Sequence, residues 1–306
     1  MAAVDAPDDA DRELATPMIH RFCISHEKPL LPESWYDDCI ALGDYQPDSQ
    51  FHVKQLDNFW HEARPLAYGA AGTYVLPTAI ERLPVHPELI EISSHRKRIL
   101  PSSEGVESQS YGYPSLRELS IDDLETGRDI SLFMPKAGLE FLVAQPIYFE
   151  GSVLGQYADS HHRRDLLDYT ALAIELDVLD AESASEFLDT HHFISGGVQL
   201  GIYPRSWLVE NATNIDAVSR QFLSRYRGRL QEYDIYQIRA VGFLSERLGS
   251  FLLIRHLRDK YSNKIPADVF GYMTAIVKGN SSYSIALADR PRRWSSWYPT
   301  RGKRAQ

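Results

Sequence analysis

The sequence predicts a mixed α/β fold in a single domain, and three observations predict it. Short apolar runs of strand length at 19–25 and 89–94 each end in a polar loop. Amphipathic helical patterns fill the second half of the chain, above all at 206–229 and 238–258. The 306 residues are 43% hydrophobic and 24% charged, which is globular usage with enough apolar content for one full core. Strands followed by helices, then a further strand and more helices, fit a sheet packed against helices.

The elements follow in order. Residues 1–16 read as an acidic leader with neither the basic nor the apolar region of a signal peptide. The domain is placed at 17–288 and a basic, aromatic tail at 289–306. The first strand, carried by Ile19, Phe22, Cys23 and Ile24, stops before Pro29, and a second at 39–42 is closed by Gly43. Two strand ends that meet polar loops are what a ligand crevice at the carboxyl edge of an open sheet requires. A helix is expected over 67–83 despite Gly69, Gly72 and Pro77. Strand 89–94 then feeds a basic loop, His95-Arg96-Lys97-Arg98. Residues 101–128 read as a long loop with one short helix near 115–125, followed by strands at 129–134 and 142–147. Helices are expected at 156–176 and 181–189, and a strand at 193–202 interrupted by Ser195-Gly196-Gly197.

Composition excludes several function classes. The balance of 32 Lys plus Arg against 42 Asp plus Glu gives a net charge of −10, so the chain lacks the basic footprint of a nucleic-acid binder. Phosphate recognition, if present, falls to local clusters. The only two cysteines, Cys23 and Cys39, lie on internal-looking segments and suit a reducing, cytoplasmic setting. No run approaches the about eighteen apolar residues of a membrane span.

The strongest local signal is the run of Arg96, Lys97 and Arg98 beside His95. Adjacent cations repel unless they face solvent or an anion. A solvated loop is the ordinary reading, and a clamp on a departing diphosphate is the functional one. An Asp-x-Asp pair that would hold a divalent metal is missing after Ile92, while Asp37-Asp38 and Asp122-Asp123 read as surface or cap residues. No metal or cofactor is therefore expected, and neighbouring pairs such as His161-His162 diverge too far on a helix to form a zinc site. Tyr157, His161 and Asp165, at i, i+4 and i+8, would share one face of the 156–176 helix and could bind hydroxyls or move a proton. Gly196-Gly197 exposes backbone N–H groups to a ligand. Gln237, Arg239, Glu246 and Arg247 punctuate an apolar helix, where Glu246 and Arg247 could equally be a surface ion pair.

Taken in order, these segments resemble a family of capsular-polysaccharide and O-antigen glycosyltransferase domains, long labelled only as a domain of unknown function. The carriers are His26-Glu27-Lys28 with Pro32, Tyr36 to Gly43, Asp57-Asn58, His95 to Arg98, then Tyr157, His161, Asp165 and Leu166. The most specific is the Arg-x-x-Gly-Phe-Leu-x-Glu-Arg-Leu pattern at Arg239 to Leu248. The resemblance spans roughly 18–260. It departs at Ala71-Gly72-Thr73 and at Ser195-Gly196-Gly197-Val198-Gln199, beside the expected pocket.

The resemblance implies a GT-A-like, glycogenin-like α/β sandwich that transfers a hexose, galactose in some relatives, from a nucleoside-diphosphate sugar to a glycan or glycolipid acceptor. Donor contacts would come from His26, Lys28, His95, Lys97, Arg98, Gly196 and Gly197. The sugar or acceptor would meet Tyr157, His161, Gln237 and Arg239, with Asp165 and Glu246 as candidate catalytic carboxylates. Two rivals are a non-catalytic sugar- or nucleotide-binding protein on the same fold, and a sugar-phosphate hydrolase using Asp165 and Glu246. The cations and aromatics of 290–304 suggest peripheral contact with an anionic inner membrane face, against the alternative of a disordered soluble tail.

Overall fold

The computed structural model describes residues 17–108, 116–124 and 133–278. The leader and the 290–304 segment expected at a membrane lie outside these residues, as do 129–132 of one expected strand. The strands are β1 (Ile19–Ser25), β2 (Asp38–Ala41), β3 (Leu89–Ser94), β4 (Lys97–Leu100), β5 (Val106–Glu107), β6 (Leu116–Ser120), β7 (Val143–Ala144), β8 (Pro146–Tyr148), β9 (His192–Ile194), β10 (Gly201–Pro204) and β11 (Phe270–Val277). The helices are α1 (Val53–Leu56), α2 (Asn58–Ala67), α3 (Ala70–Tyr74), α4 (Leu76–Glu81), α5 (Val153–Ser160), α6 (Arg163–Glu175), α7 (Ala181–Asp189), α8 (Arg205–Gln231) and α9 (Ala240–Lys260).

One mixed sheet runs β2-β1-β3-β4-β11-β6-β5, with β10 also on β3 and β7 on β11, while β8 and β9 form a separate ribbon. β1 is parallel to both neighbours, pairing Cys23 with Cys39 and Phe22 with Ile92. β3 turns back through His95 and Arg96 so that Ser94 faces Lys97 across an antiparallel hairpin. The alternation of each strand sends side chains to opposite faces. Phe22, Ile24, Ile92 and Ile99 join the large core beneath the helices. Cys23, Leu100 and Ile276 join a smaller one, closed by Leu31, Trp35 and Phe133.

β1, β3 and α7 occupy their expected bounds, and 206–229 and 238–258 are helical as α8 and α9. The differences have local causes. The 67–83 helix is two, because Pro77 opens α4, where a proline's missing N–H costs nothing. The short helix expected near 115–125 is β6 followed by a single 3₁₀ turn at Ile121–Asp123. The 156–176 helix breaks at His161, whose extended backbone (φ −139°) ends α5. Tyr157, His161 and Asp165 therefore do not share one helix face. The expected strand at 142–147 is two short ones, and 193–202 is β9, a turn and β10. Lys97 and Arg98 belong to a strand rather than a loop.

The family-like Asp57-Asn58 pair has a structural role. Asp57 caps α2 by accepting from Phe59 N–H at 2.9 Å and pairs with Arg220 of α8. Arg220 also holds Asp216, which accepts from the indole N–H of buried Trp60 at 2.5 Å. This network pins the start of α2, and so fixes where its C-terminus arrives at the sheet edge.

Candidate active site

A cleft of about 780 Å³ opens where β1 and β3 end. This is the carboxyl edge at which open α/β sheets bind ligands. Ile24 and His26 continue β1 into it, and Ser93, Ser94, His95, Arg96 and Lys97 bring the β3–β4 hairpin. Arg64, Tyr68 and Thr73 come from α2 and α3, Ser195, Gly196 and Gln199 from the turn after β9, and Arg239, Gly242, Phe243 and Glu246 from the α9 side.

That last set has a simple origin. Positions 239, 242, 243 and 246 are i, i+3, i+4 and i+7, one helical face. Leu244 and Leu248 point instead into the core. The Gly196 N–H donates to Glu246 Oε1 at 2.8 Å, joining the turn to this face. Gly197 sits beside it with φ +49°, and a Cβ there would come within 2.8 Å of the Glu246 carbonyl oxygen. Its conformation and its lack of a side chain serve packing against α9; Gly197 does not line the cleft.

Period two decides the fate of the basic run. Lys97 turns into the cleft and Arg98 turns away from it. Arg98 is 1% exposed. Its guanidinium bonds Glu91 at 2.5 and 2.6 Å, donates to Trp35 O at 3.1 Å and lies 4.5 Å from the Phe133 ring centroid. Expected on the diphosphate, Arg98 is instead the counter-charge of a carboxylate under the sheet, shared with Arg21 at 3.3 Å. Burial, with Arg96 beside it, holds the His95 imidazole down at about 4. His95 thus enters the cleft as a neutral hydrogen-bonding ring near neutral pH, while its carbonyl anchors the 26–31 loop through Leu30 N–H at 2.6 Å. Lys28, the other donor candidate of that loop, is exposed beside Glu33 and does not line the cleft.

The second expected constellation lies behind the cleft wall. Tyr157 is buried, with the Arg247 guanidinium 4.9 Å over its ring, and burial pushes its hydroxyl up. His161 stacks on Phe243 at 4.4 Å and meets Gln237 Oε1 at 3.0 Å through Nδ1, while Gln237 donates to Ser160 O at 2.8 Å. Burial lowers His161 to about 3. Asp165 is fully buried, held by Arg229 at 2.7 Å and by the Tyr233 hydroxyl at 3.2 Å. Neither it nor Tyr157, His161 or Gln237 lines the cleft. Asp165 therefore cannot act with Glu246 across one substrate, which removes the two-carboxylate hydrolase reading. Arg247 is not a surface partner of Glu246 either, since it is buried on Gln156 and Phe243 O.

Of the expected residues, His26, His95, Lys97, Gly196, Arg239 and Glu246 line the cleft. Arg64, Tyr68 and Phe243 were not foreseen there. Arg64 and Arg239 did carry a signal, because neither has a carboxylate at i±3 or i±4 to neutralise it. Among the described residues no group of three or more His, Cys, Asp or Glu side chains gathers as for a metal, and no helix is long and apolar enough to cross a membrane.

No protein-family model and no curated protein matches the chain. Among solved structures, the chain is similar to the bifunctional glycosyltransferase WbbM in its apo form, with a TM-score of 0.60 and 12% identity, over 85% of this chain and 46% of that one. The chain thus spans less than half of that protein's length. At this identity the likeness speaks for architecture: the fold is mixed α/β and GT-A-like.

Proposed function

We propose that the protein is a glycosyltransferase that takes a sugar from a nucleoside-diphosphate donor bound in this cleft. The observation that carries the reading is one cleft, at the ligand-binding edge of a glycosyltransferase-like sheet, that gathers Arg96 and Lys97 on one side and Glu246 on the other. In such a transfer the acceptor oxygen bonds to the anomeric carbon while that carbon's bond to the phosphate oxygen breaks. Negative charge grows on the leaving diphosphate and a proton must leave the acceptor hydroxyl. Arg96 and Lys97 suit the first need, since a preorganised cation is worth most where charge develops. Glu246 suits the second: Oε1 is engaged by Gly196 N–H, and the other carboxylate oxygen receives the proton. His95, as a neutral ring, and His26 would add hydrogen bonds to the donor. The same reading has cations in place of a divalent metal, and a hexose passing to a glycan or glycolipid acceptor.

The test is thermal-shift screening with UDP, GDP and CMP sugars, followed by measurement of nucleotide release with glycan acceptors. Stabilisation by one nucleotide class and an about 10²-fold fall in kcat for Lys97→Ala are expected. Binding without release would make the protein a non-catalytic receptor. Turnover lost in EDTA and restored by Mn²⁺ would overturn the metal-independent part.

A further inference from the structure

Two pairs of cations line the cleft, Arg96 and Lys97 from the β3–β4 hairpin and Arg64 and Arg239 from the helical elements. Arg64 lies near the C-terminus of α2, which meets the turn that carries Arg239 into α9. The two elements are in contact here, since a Cβ on Gly242 would lie 3.2 Å from Ala67 O. Neither arginine forms an ion pair with a described residue, and the Nε of each is buried with no hydrogen-bond partner among them. Arg98, Arg229 and Arg220, by contrast, each hold a carboxylate. Arg239 is instead supported from below, its guanidinium carbon 4.1 Å over the Tyr68 ring. Tyr68 is held with φ +51°, a strained backbone for a residue with a side chain. Arg64 is positioned against Gly43, whose missing Cβ would otherwise lie 2.9 Å from its Nη1. A buried Nε–H without an acceptor is costly, and a guanidinium that lines a cavity without a carboxylate offers its N–H groups to a planar or tetrahedral anion.

We infer that Arg64 and Arg239 form a second anion subsite, separate from the diphosphate end, that takes a phosphate or carboxylate borne by the acceptor. This rests on the reading of the cleft as a transferase site. It places the acceptor's negative charge on the α2–α9 side and its attacking hydroxyl toward Glu246, seven residues or about two helical turns along from Arg239. The substrate class it implies is an acidic acceptor, either a glycan whose sugar carries a carboxylate or one joined to a phosphate.

The experiment is calorimetric titration of the full chain with inorganic phosphate, glucuronate and the neutral methyl glucoside, in a Lys97→Gln background that weakens the other basic end. Retained phosphate or glucuronate binding is expected in that background, with no response to the glucoside. Adding Arg64→Gln or Arg239→Gln should weaken the anion about tenfold or more, while Arg64→Lys and Arg239→Lys, matched for melting temperature, should retain part of it. The tighter of the two anions distinguishes a phosphate from a carboxylate acceptor. Loss of all anion binding in Lys97→Gln alone, or unchanged binding in the double variants, would overturn the subsite. A surviving anion site with no response to any nucleotide sugar would instead overturn the donor reading and leave this one standing.

Discussion

Arg98 and Arg239 are the same residue in two opposite settings. Both guanidiniums rest against aromatic rings, Phe133 for one and Tyr68 for the other. Arg98 lies under the sheet with Glu91 bonded on two edges, whereas Arg239 faces a cavity and has no carboxylate among the described residues. A cation that has been neutralised contributes to the fold, and one that has not is available to a ligand. Partners, rather than charges, separate the two regions.

The comparison breaks first at Arg98. Arg98→Leu should leave Glu91 buried with only Arg21 and destabilise the fold by about 3–5 kcal/mol in urea titration. A small change there would mean that the pair is no part of the core. On the cleft side, Glu246→Gln should lower kcat about 10²-fold with the nucleotide-induced thermal shift retained. Equal activity would remove from the chemistry the one carboxylate that lines the cleft among the described residues. Gly197→Ala, which sets a methyl group against the α9 backbone at a positive φ, should cost about 1–3 kcal/mol and lower turnover with it.

Arg239→Ala sharpens the contrast. It removes a cation–π contact worth only about 0.5–1 kcal/mol, so melting should hardly move while acceptor KM rises. The smallest effect is in pH. His95 and His161 have their folded pKa values lowered from 6.5, to about 4 and about 3. The unfolded chain then binds more protons below 6.5, so their contribution is full above that value and declines as pH falls toward 4 and 3. His161→Phe should flatten the stability slope in this window, as followed by melting temperature against pH.

Much of the framework was legible because its signals are local. β1 and β3 are short segments built round apolar residues, Ile19, Phe22, Cys23 and Ile24 in one and Leu89, Ile90 and Ile92 in the other, and the 239–246 face repeats at helical spacing beside a core stripe. The basic tetrapeptide misled because four consecutive residues were read as one patch, when a strand sends Lys97 and Arg98 to opposite faces. The break at His161 carries neither glycine nor proline; stacking on Phe243 and the bond to Gln237, 76 positions away, hold it. β11 went unread although Phe270, Tyr272, Thr274, Ile276 and Val277 are strand formers. Arg64 and Tyr68 sit in a plain helix end, and only the tertiary meeting of α2 with α9 gives them a shared cavity.

The join between Gly196 N–H and the Glu246 carboxylate, with Gly197 pressed on the same helix, makes the floor of the pocket part of α9. That helix is 21 residues long and buries Leu244, Leu248 and Leu252 in the core. Any widening of the cleft must therefore come from its other elements, such as the β3–β4 hairpin.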